Sequence, residues 1–503
     1  MKVPLIIQPG IVLDDTTFSK KGAWRDVDKV RFWRGQPQVI GGWESFIEDP
    51  LTGVCRNVFN WTDNMSVLNT VFGTHLKLQL GYGSALYDIT PATFVPGQID
   101  GTGVMGYSTG GYGVGGYSES SSTDYFPLTW SFGSYGQSLM ANPRGQTIFW
   151  WQNNTGTPAA PLTNAPEQVT YMLVADTRQV MAFGCNEELS GDFNPLCIRF
   201  SDIEDPTDWT TATNNLAGEV ILEGGGRIVA ALKIGNYINV WTDNALYLGQ
   251  FTGSVDQPWK FDRMGDHCGL VGPNAANVVN QRAFWIAPSM QFYGSTMGGE
   301  PQLIVSPIQD EFSDNIAAAQ GDKIVCASVS EFNEIWWFYP DKRDGNEVSR
   351  YFSLTLIDNL WARGTLIRTA FVDAGPTVSP IGVAYEGRVY YHERGQSADG
   401  DSFAWYMETA DQYIGEAENL FMIRGIWPDF HDQLGAVNLS MTVRAYPQAP
   451  QRTAGPFSLP PDRKRKDFRV QGRVMQLRIS GEGTPTAVRL GKPELDVVET
   501  GKR

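Results

Sequence analysis

Histidine is scarce in this sequence and cysteine has no pattern. The four histidines, His75, His267, His392 and His431, never fall within five residues of one another, which excludes a local metal-ligand motif. The five cysteines, Cys55, Cys185, Cys197, Cys268 and Cys326, form no C-x-x-C. Their number is odd and the chain is large, so a disulfide framework is not expected; Cys185 and Cys197 could pair, but free buried thiols are the default. Long apolar runs are missing too. None reaches membrane-spanning length, and the apolar part of "MKVPLIIQPG" is too short for a secretory signal, so a soluble product made in a cytosol is expected. Charged residues make up only 19%, and the basic ones are the minority, 39 against 55 acidic for a net charge of −16. That argues against tight nucleic-acid binding over the whole surface, which depends on neutralising phosphates. An acidic wall past which DNA slides without adhering stays open. Helical periodicity is nearly absent, and "EFSDNIAAAQGDK" is the best short-helix candidate.

What the chain has is glycine (54), proline (29) and 12% aromatics, including 16 tryptophans, in 503 residues. That is ample core material with frequent turns, in a chain longer than one hydrophobic core usually serves. Apolar and polar residues alternate: Val437, Leu439, Met441 and Val443 share a face, as do Met475, Leu477 and Ile479, and Val348 to Leu356 reads the same way. Period two signals half-buried strands. At longer range, a turn followed by an apolar–aromatic pair recurs, with markers at Leu86, Ile148, Leu246, Phe292 and Val389. Similar strands around Ile198 and Trp337 fill the wider gaps, and the first interval, which holds a long glycine-rich segment, is over-long. Repeats of roughly 40 to 50 residues built from short strands are the signature of propeller blades, because one small sheet cannot bury both faces alone.

The last hundred residues differ. Five strands are expected there, in a β-sandwich-like domain of residues 401–503, two of them joined by the long connection "PQAPQRTAGPFSLPPDRKRKDF". The fold expected is therefore all-β: a β-propeller body over residues 1–400 with a Gly/Tyr-rich loop inserted at 97–126, followed by that domain. Arg463, Lys464, Arg465 and Lys466 form the only dense basic cluster, either a solvated loop or a contact for phosphate or an acidic partner.

Candidate catalytic motifs fail on context. Gly101, Gly103 and Gly106 spell G-x-G-x-x-G, and Gly106, Ser108 and Gly110 spell G-x-S-x-G. Neither has the strand before and helix after that a dinucleotide site or nucleophile elbow needs. Asp202, Glu204, Asp205 and Asp208 in "SDIEDPTDW" read as turn residues that cap backbone amides, not as the paired carboxylates of a glycosidase. "SADGDSFAW" misses the sialidase Asp-box spacing, and "DHCG" at His267–Cys268 lacks a second ligand pair. No catalytic residue, metal or cofactor is assigned, and the chain is not expected to be an enzyme.

"KVRFWRGQPQVIGGWE", "FGTHLKLQLGYGSALYDITP", "WSFGSYGQSLMANPRGQTIFWW", "IRFSDIEDPTDWT", "INVWTDNALYLGQFTG", "RMGDHCGLVGPNAANVV" and "GRVMQLRISGEGTPTAVRLGKPELDVVETGKR" follow in order along nearly the whole chain. Together they resemble structural proteins of short-tailed bacteriophages, of the tail-nozzle or packaged-DNA-stabilisation type. The resemblance implies a β-propeller, a homo-hexameric ring at the distal end of the virion tail, a head-to-tail adaptor above it and contact with tail fibres or tailspikes. It also implies phage DNA passing without sequence-specific binding, and it carries over no catalytic residues. On that reading Tyr107, Tyr112, Tyr117 and Tyr125 are candidate loop contacts to a neighbouring subunit, a fibre or the channel axis. Trp24, Phe32, Trp33 and Trp43 are expected to pack where the propeller ring closes. The alternative is a phage-borne propeller that binds or cleaves glycans.

Overall fold

The computed structural model describes residues 2–14, 22–83, 85–101, 126–224, 226–414, 419–446 and 449–501. Seven four-stranded antiparallel sheets follow one another as blades. Blade 1 spans strands Cys55–Thr62 to Ala85–Asp88, blade 2 Trp130–Tyr135 to Ala160–Pro161, and blade 3 Val169–Val174 to Gly218–Ile221. Blade 4 spans Ile228–Ile234 to Trp259–Asp266, blade 5 Ala276–Val279 to Gln302–Leu303, and blade 6 Val325–Val329 to Leu360–Thr365. Blade 7 has three strands of its own, Ala370–Val372, Ile381–Val383 and Val389–His392, and takes its outer strand, Trp43–Ile47, from the start of the chain. The first strand of each blade touches the first strand of the next, and that of blade 7 touches blade 1, so the ring is closed. Each repeat marker falls in or directly before a strand of a different blade: Leu86, Ile148, Ile198, Leu246, Phe292, Trp337 and Val389 in blades 1 to 7.

Blade 6 shows what holds the ring. All seven residues of Glu334–Pro340 are buried, because successive side chains of a strand point to opposite faces and both faces meet another blade. Trp337 packs edge-on against Phe292 of blade 5 at 5.0 Å, while Phe338 meets Phe371 of blade 7 at 5.5 Å. Trp336 stacks on Tyr351 at 4.3 Å. Each such side chain contributes about 1.5–3 kcal/mol by burial alone. This also explains why Val348–Thr355 does not alternate as expected: its last five residues are all buried, since a sheet between two blades has no solvent face. Blades 1 and 2 approach more closely still. A Cβ on Gly73 would lie 2.3 Å from the Trp130 ring, so only glycine fits there.

The second module corrects the expected division at residue 400. It contains three sheets, and residues 2–39 supply strands to all of them. The first sheet runs Lys2–Pro4, Glu494–Gly501, Leu420–Trp427, Lys466–Gly472. The second runs Gln8–Ile11, Ala23–Asp28, Trp405–Thr409, Val474–Gly481, Val437–Arg444, Arg452–Leu459, with Gln412–Tyr413 also on Val474–Gly481. The third runs Phe430–Leu434, Ala487–Leu490, Gln36–Val39, Val30–Trp33. Strand Val437–Arg444 alternates buried and partly buried along its length, as its sequence predicts. The segment expected to be a plain connection contains strand Arg452–Leu459. Only Trp43 sits on the ring-closing strand; Trp24 and Phe32 are in the second module's core, continuous with Trp337 and Trp361 of blade 6. Trp33 meets Phe332 edge-on at 5.4 Å. One strand suffices to close the ring, and pairing with the far end of the chain takes up the rest of that segment.

The module docks on the outer strand of blade 6 through Gln8–Ile11, Ala23–Asp28 and Val30–Trp33. Arg363 Nε donates to Asp26 at 2.7 Å and the backbone N–H of Thr365 donates to Asp28 at 2.6 Å. The short helix expected over "EFSDNIAAAQGDK" is met in part: an α-helix spans Gln309–Asn315, Ile316 is extended, and a separate 3₁₀ segment spans Ala318–Lys323. The first amides of the α-helix donate to the Asp14 carboxylate, from Gln309 at 2.7 Å and Asp310 at 3.1 Å.

Candidate functional site

The glycine–tyrosine segment leaves and re-enters the fold at one place, the face where the first strand of each blade begins. Its two roots are held by charged side chains from several blades. At the departing root, Gln320 exchanges two hydrogen bonds with the backbone of Gly101, accepting at 3.1 Å and donating at 2.8 Å. Lys323, buried just before blade 6, pairs with Asp100 and donates to Asn346 O at 2.7 Å. Arg56, at the start of blade 1, grips Glu347 with two bonds of 2.7 Å and also donates to Ile99 O at 3.0 Å. Burial alone would push the Glu347 carboxyl up; the Arg56 fork and Lys323 overcome that and hold it below its ordinary value. Such two-pronged arginine–carboxylate pairs are among the stronger polar contacts.

At the returning root, the Phe126 ring lies against two guanidinium groups, Arg144 at 3.9 Å and Arg227 at 4.1 Å. Arg144 is neutralised by Asp322 at 2.8 Å. Burial lowers the pKa of Arg227, as does the positive Arg144 nearby, with Asp322 and Asp243 opposing. Blades 1, 2, 4 and 6 thus each contribute a charged side chain to the two roots of the segment. Tyr107, Tyr112, Tyr117 and Tyr125 lie outside the described residues, as do most glycines of the two motifs.

The basic cluster is divided. Arg465 pairs with Asp467 at 2.7 Å and Asp496 at 3.3 Å and covers the Trp427 ring at 4.4 Å. Lys466 lies 5.6 Å from the Phe457 ring. Arg463 and Lys464 instead line a cavity in the second module.

The acidic turn behaves as its sequence suggested. Asp205 accepts from the Thr207 backbone at 2.9 Å, Asp208 from Thr210 at 3.2 Å, and Asp202 from Leu216 at 2.8 Å. Among the described residues no three His, Cys, Asp or Glu side chains gather as metal ligands, and no helix is long and apolar enough to cross a membrane. All five cysteines are buried thiols, with Cys185 and Cys197 Sγ atoms 3.8 Å apart.

Two of the buried cations that the sequence did not mark are Arg31 and Arg368. Arg31 lies between Glu334, 3.3 Å from its Nε, and Glu393, which accepts from Nη1 at 3.0 Å, with the Phe332 ring 3.6 Å away. It joins the second module to blades 6 and 7. Arg368 is buried against Trp43 and Tyr390, donates from Nε to His392 Nε2 at 2.7 Å, and is held down to about 10 by burial. Only the charged residue between Val30 and Phe32 hinted at the first, and nothing in the sequence pattern marked the second.

No family model matches the chain, and no curated protein matches it. Among solved structures, it is similar to the computationally designed Ika8 protein (11% identity, 76% of this chain and 99% of that one, TM-score 0.37). It is also similar to YCF48 bound to D1 peptide (8% identity, 70% and 97%, TM-score 0.42) and to BamB from Moraxella catarrhalis (11% identity, 73% and 95%, TM-score 0.38). At these scores the likenesses carry no functional argument, and the seven-bladed assignment rests on the sheets themselves.

Proposed function

We propose that this chain is a structural virion protein that forms the distal nozzle ring of a short-tailed phage, retaining packaged DNA and guiding its ejection. The observation that carries this reading is the ordered run of segments, along nearly the whole sequence, that resembles nozzle proteins. The architecture is compatible with it. Seven sheets that bury one another make a stiff body, and chemistry is not required of it. Six copies carrying −16 each would give a wall that repels phosphate and lets the genome move. The partners proposed are five further copies, an adaptor above the ring, and a fibre or spike.

Electron microscopy of the purified chain and of particles tests this. A sixfold ring below a portal is expected, and a monomer that clears polysaccharide would overturn it in favour of the glycan-cleaving alternative. Deleting residues 102–125 is expected to leave the propeller folded while lowering ring assembly or DNA retention. Unchanged particles would remove the segment from the mechanism.

A further inference from the structure

Arg463 and Lys464, which form no ion pair among the described residues, face a cavity of about 570 Å³ between the first and third sheets of the second module. Arg463 and Lys464 approach from the turn before Lys466–Gly472, and Lys492 from the turn before Glu494–Gly501. Trp427 and Phe430 supply apolar walls. Two carboxylates also line the cavity: Asp429 accepts the backbone N–H of Lys492 at 2.7 Å, and Glu494 lies 3.7 Å from Lys2. Among the described residues, the side-chain charges of Arg463, Lys464 and Lys492 form no ion pair, whereas Arg465 next to them is doubly paired. Around this concavity three cations outnumber two carboxylates, and an anion seated among the cations relieves their mutual repulsion.

The shape selects among anions. A concave site of a few hundred Å³ with apolar walls and a few convergent polar groups suits a small ligand. A duplex needs a stripe of phosphate contacts, which three residues in a cup do not provide. Trp427 is held between Lys2 at 4.2 Å and Arg465 at 4.4 Å from its ring, so it presents a fixed edge. Gln433 spends its Nε2 on Gly435 O at 3.1 Å and Leu459 O at 2.9 Å, which turns Oε1 into an acceptor for a hydroxyl. We propose that this cavity binds a phosphorylated sugar, with phosphate among Arg463, Lys464 and Lys492 and the sugar against Phe430 and Gln433.

Titration calorimetry of the full chain with glucose 6-phosphate, glucose and inorganic phosphate tests the assignment. Saturable binding of glucose 6-phosphate is expected with a Kd of about 1 mM or tighter. Because it removes two of the three cations, K464A/K492A is expected to weaken this binding by tenfold or more. Glucose and inorganic phosphate should each bind at least about tenfold more weakly than the combined ligand. Tighter binding of a phosphorylated core oligosaccharide than of glucose 6-phosphate places the ligand on a surface glycan, and equal binding makes it a free sugar phosphate. Absence of saturation, binding unaltered in K464A/K492A, or equal affinity for inorganic phosphate overturns the proposal. So does preference for an acidic peptide or a DNA duplex.

Discussion

The propeller and the second module are built from the same material in opposite ways. Six of the blades are made of strands that follow one another in the chain, each pairing with its sequence neighbour. The second module pairs strands from the two chain ends: Lys2–Pro4 with Glu494–Gly501, Ala23–Asp28 with Trp405–Thr409, and Arg489 with Gln38. Local pairing costs little loop-closure entropy, whereas pairing across hundreds of residues has to be stabilised by the contacts it makes. The propeller therefore resists damage blade by blade, while the second module depends on a few long-range joints.

The largest test of this contrast removes residues 2–39. Each of the three sheets of the module loses strands, so limited proteolysis is expected to trim the chain back to near residue 400. A resistant 405–501 fragment would show that the module folds without its N-terminal partners and would erase the distinction.

Next is the joint at Arg31. Arg31→Met leaves Glu334 and Glu393 facing each other without a cation at a position that is 1% exposed. Breaking a buried pair from one side costs about 3–5 kcal/mol, read by urea denaturation. R31M/E334L/E393M is expected to recover most of that loss, because a fully apolar replacement strands no charge. Equal losses in the single and triple variants would mean that the cluster's charges are not what joins the module to blades 6 and 7.

The same contrast governs what could be read from the sequence. The blade markers were legible because each blade repeats a turn and an apolar–aromatic pair within one local stretch, so Leu86 through Val389 fell one per blade. The division of the chain was not legible, because nothing in "VDKVRFWRGQPQV" says that its partners lie beyond residue 400. The long connection before the basic cluster hid a strand: Arg452–Leu459 carries Gly455 and Pro456 in its middle, which reads as loop because both residues weaken strand propensity. At the candidate site, the division of the basic cluster turned on which acids folded beside it, Asp467 and Asp496 for Arg465 and none among the described residues in ion-pair contact with Arg463, and spacing alone does not encode that.

A smaller effect is expected within the propeller itself. Gly73→Ala forces a methyl group into the Trp130 ring at the contact of blades 1 and 2. Overpacking of this kind costs about 1–3 kcal/mol. A loss confined to one local contact should lower the melting temperature without exposing the second module to protease; if the module became cleavable first, the two regions would be coupled more tightly than their topology implies.

The mildest test lies at the seam where the chain's first residues complete its last blade. Trp43 on the closing strand lies 5.9 Å from the His392 ring and Phe371 lies 5.1 Å from it. His392 accepts the Arg368 Nε proton at its own Nε2, so the folded imidazole is neutral with its proton on Nδ1. Burial, and then the adjacent guanidinium, hold its pKa well below the ordinary value. Protonation would set two cations against each other without a carboxylate among the atoms that bond them. The unfolded chain takes up that proton near pH 6.5 while the folded chain does not, so the His392 contribution is fully present above about pH 6.5 and is lost as the pH falls below it, by at most about 1.4 kcal/mol per pH unit. His75, also held low by burial and accepting the Val54 N–H at 3.0 Å, adds a slope of the same sign, so the wild-type profile alone does not isolate the seam. His392→Gln keeps an acceptor for Arg368 and removes the titration. Denaturation midpoints between pH 7.5 and 5 should therefore fall less steeply in H392Q than in the wild type, and parallel slopes would show that acid opens the propeller somewhere other than where its two chain regions meet.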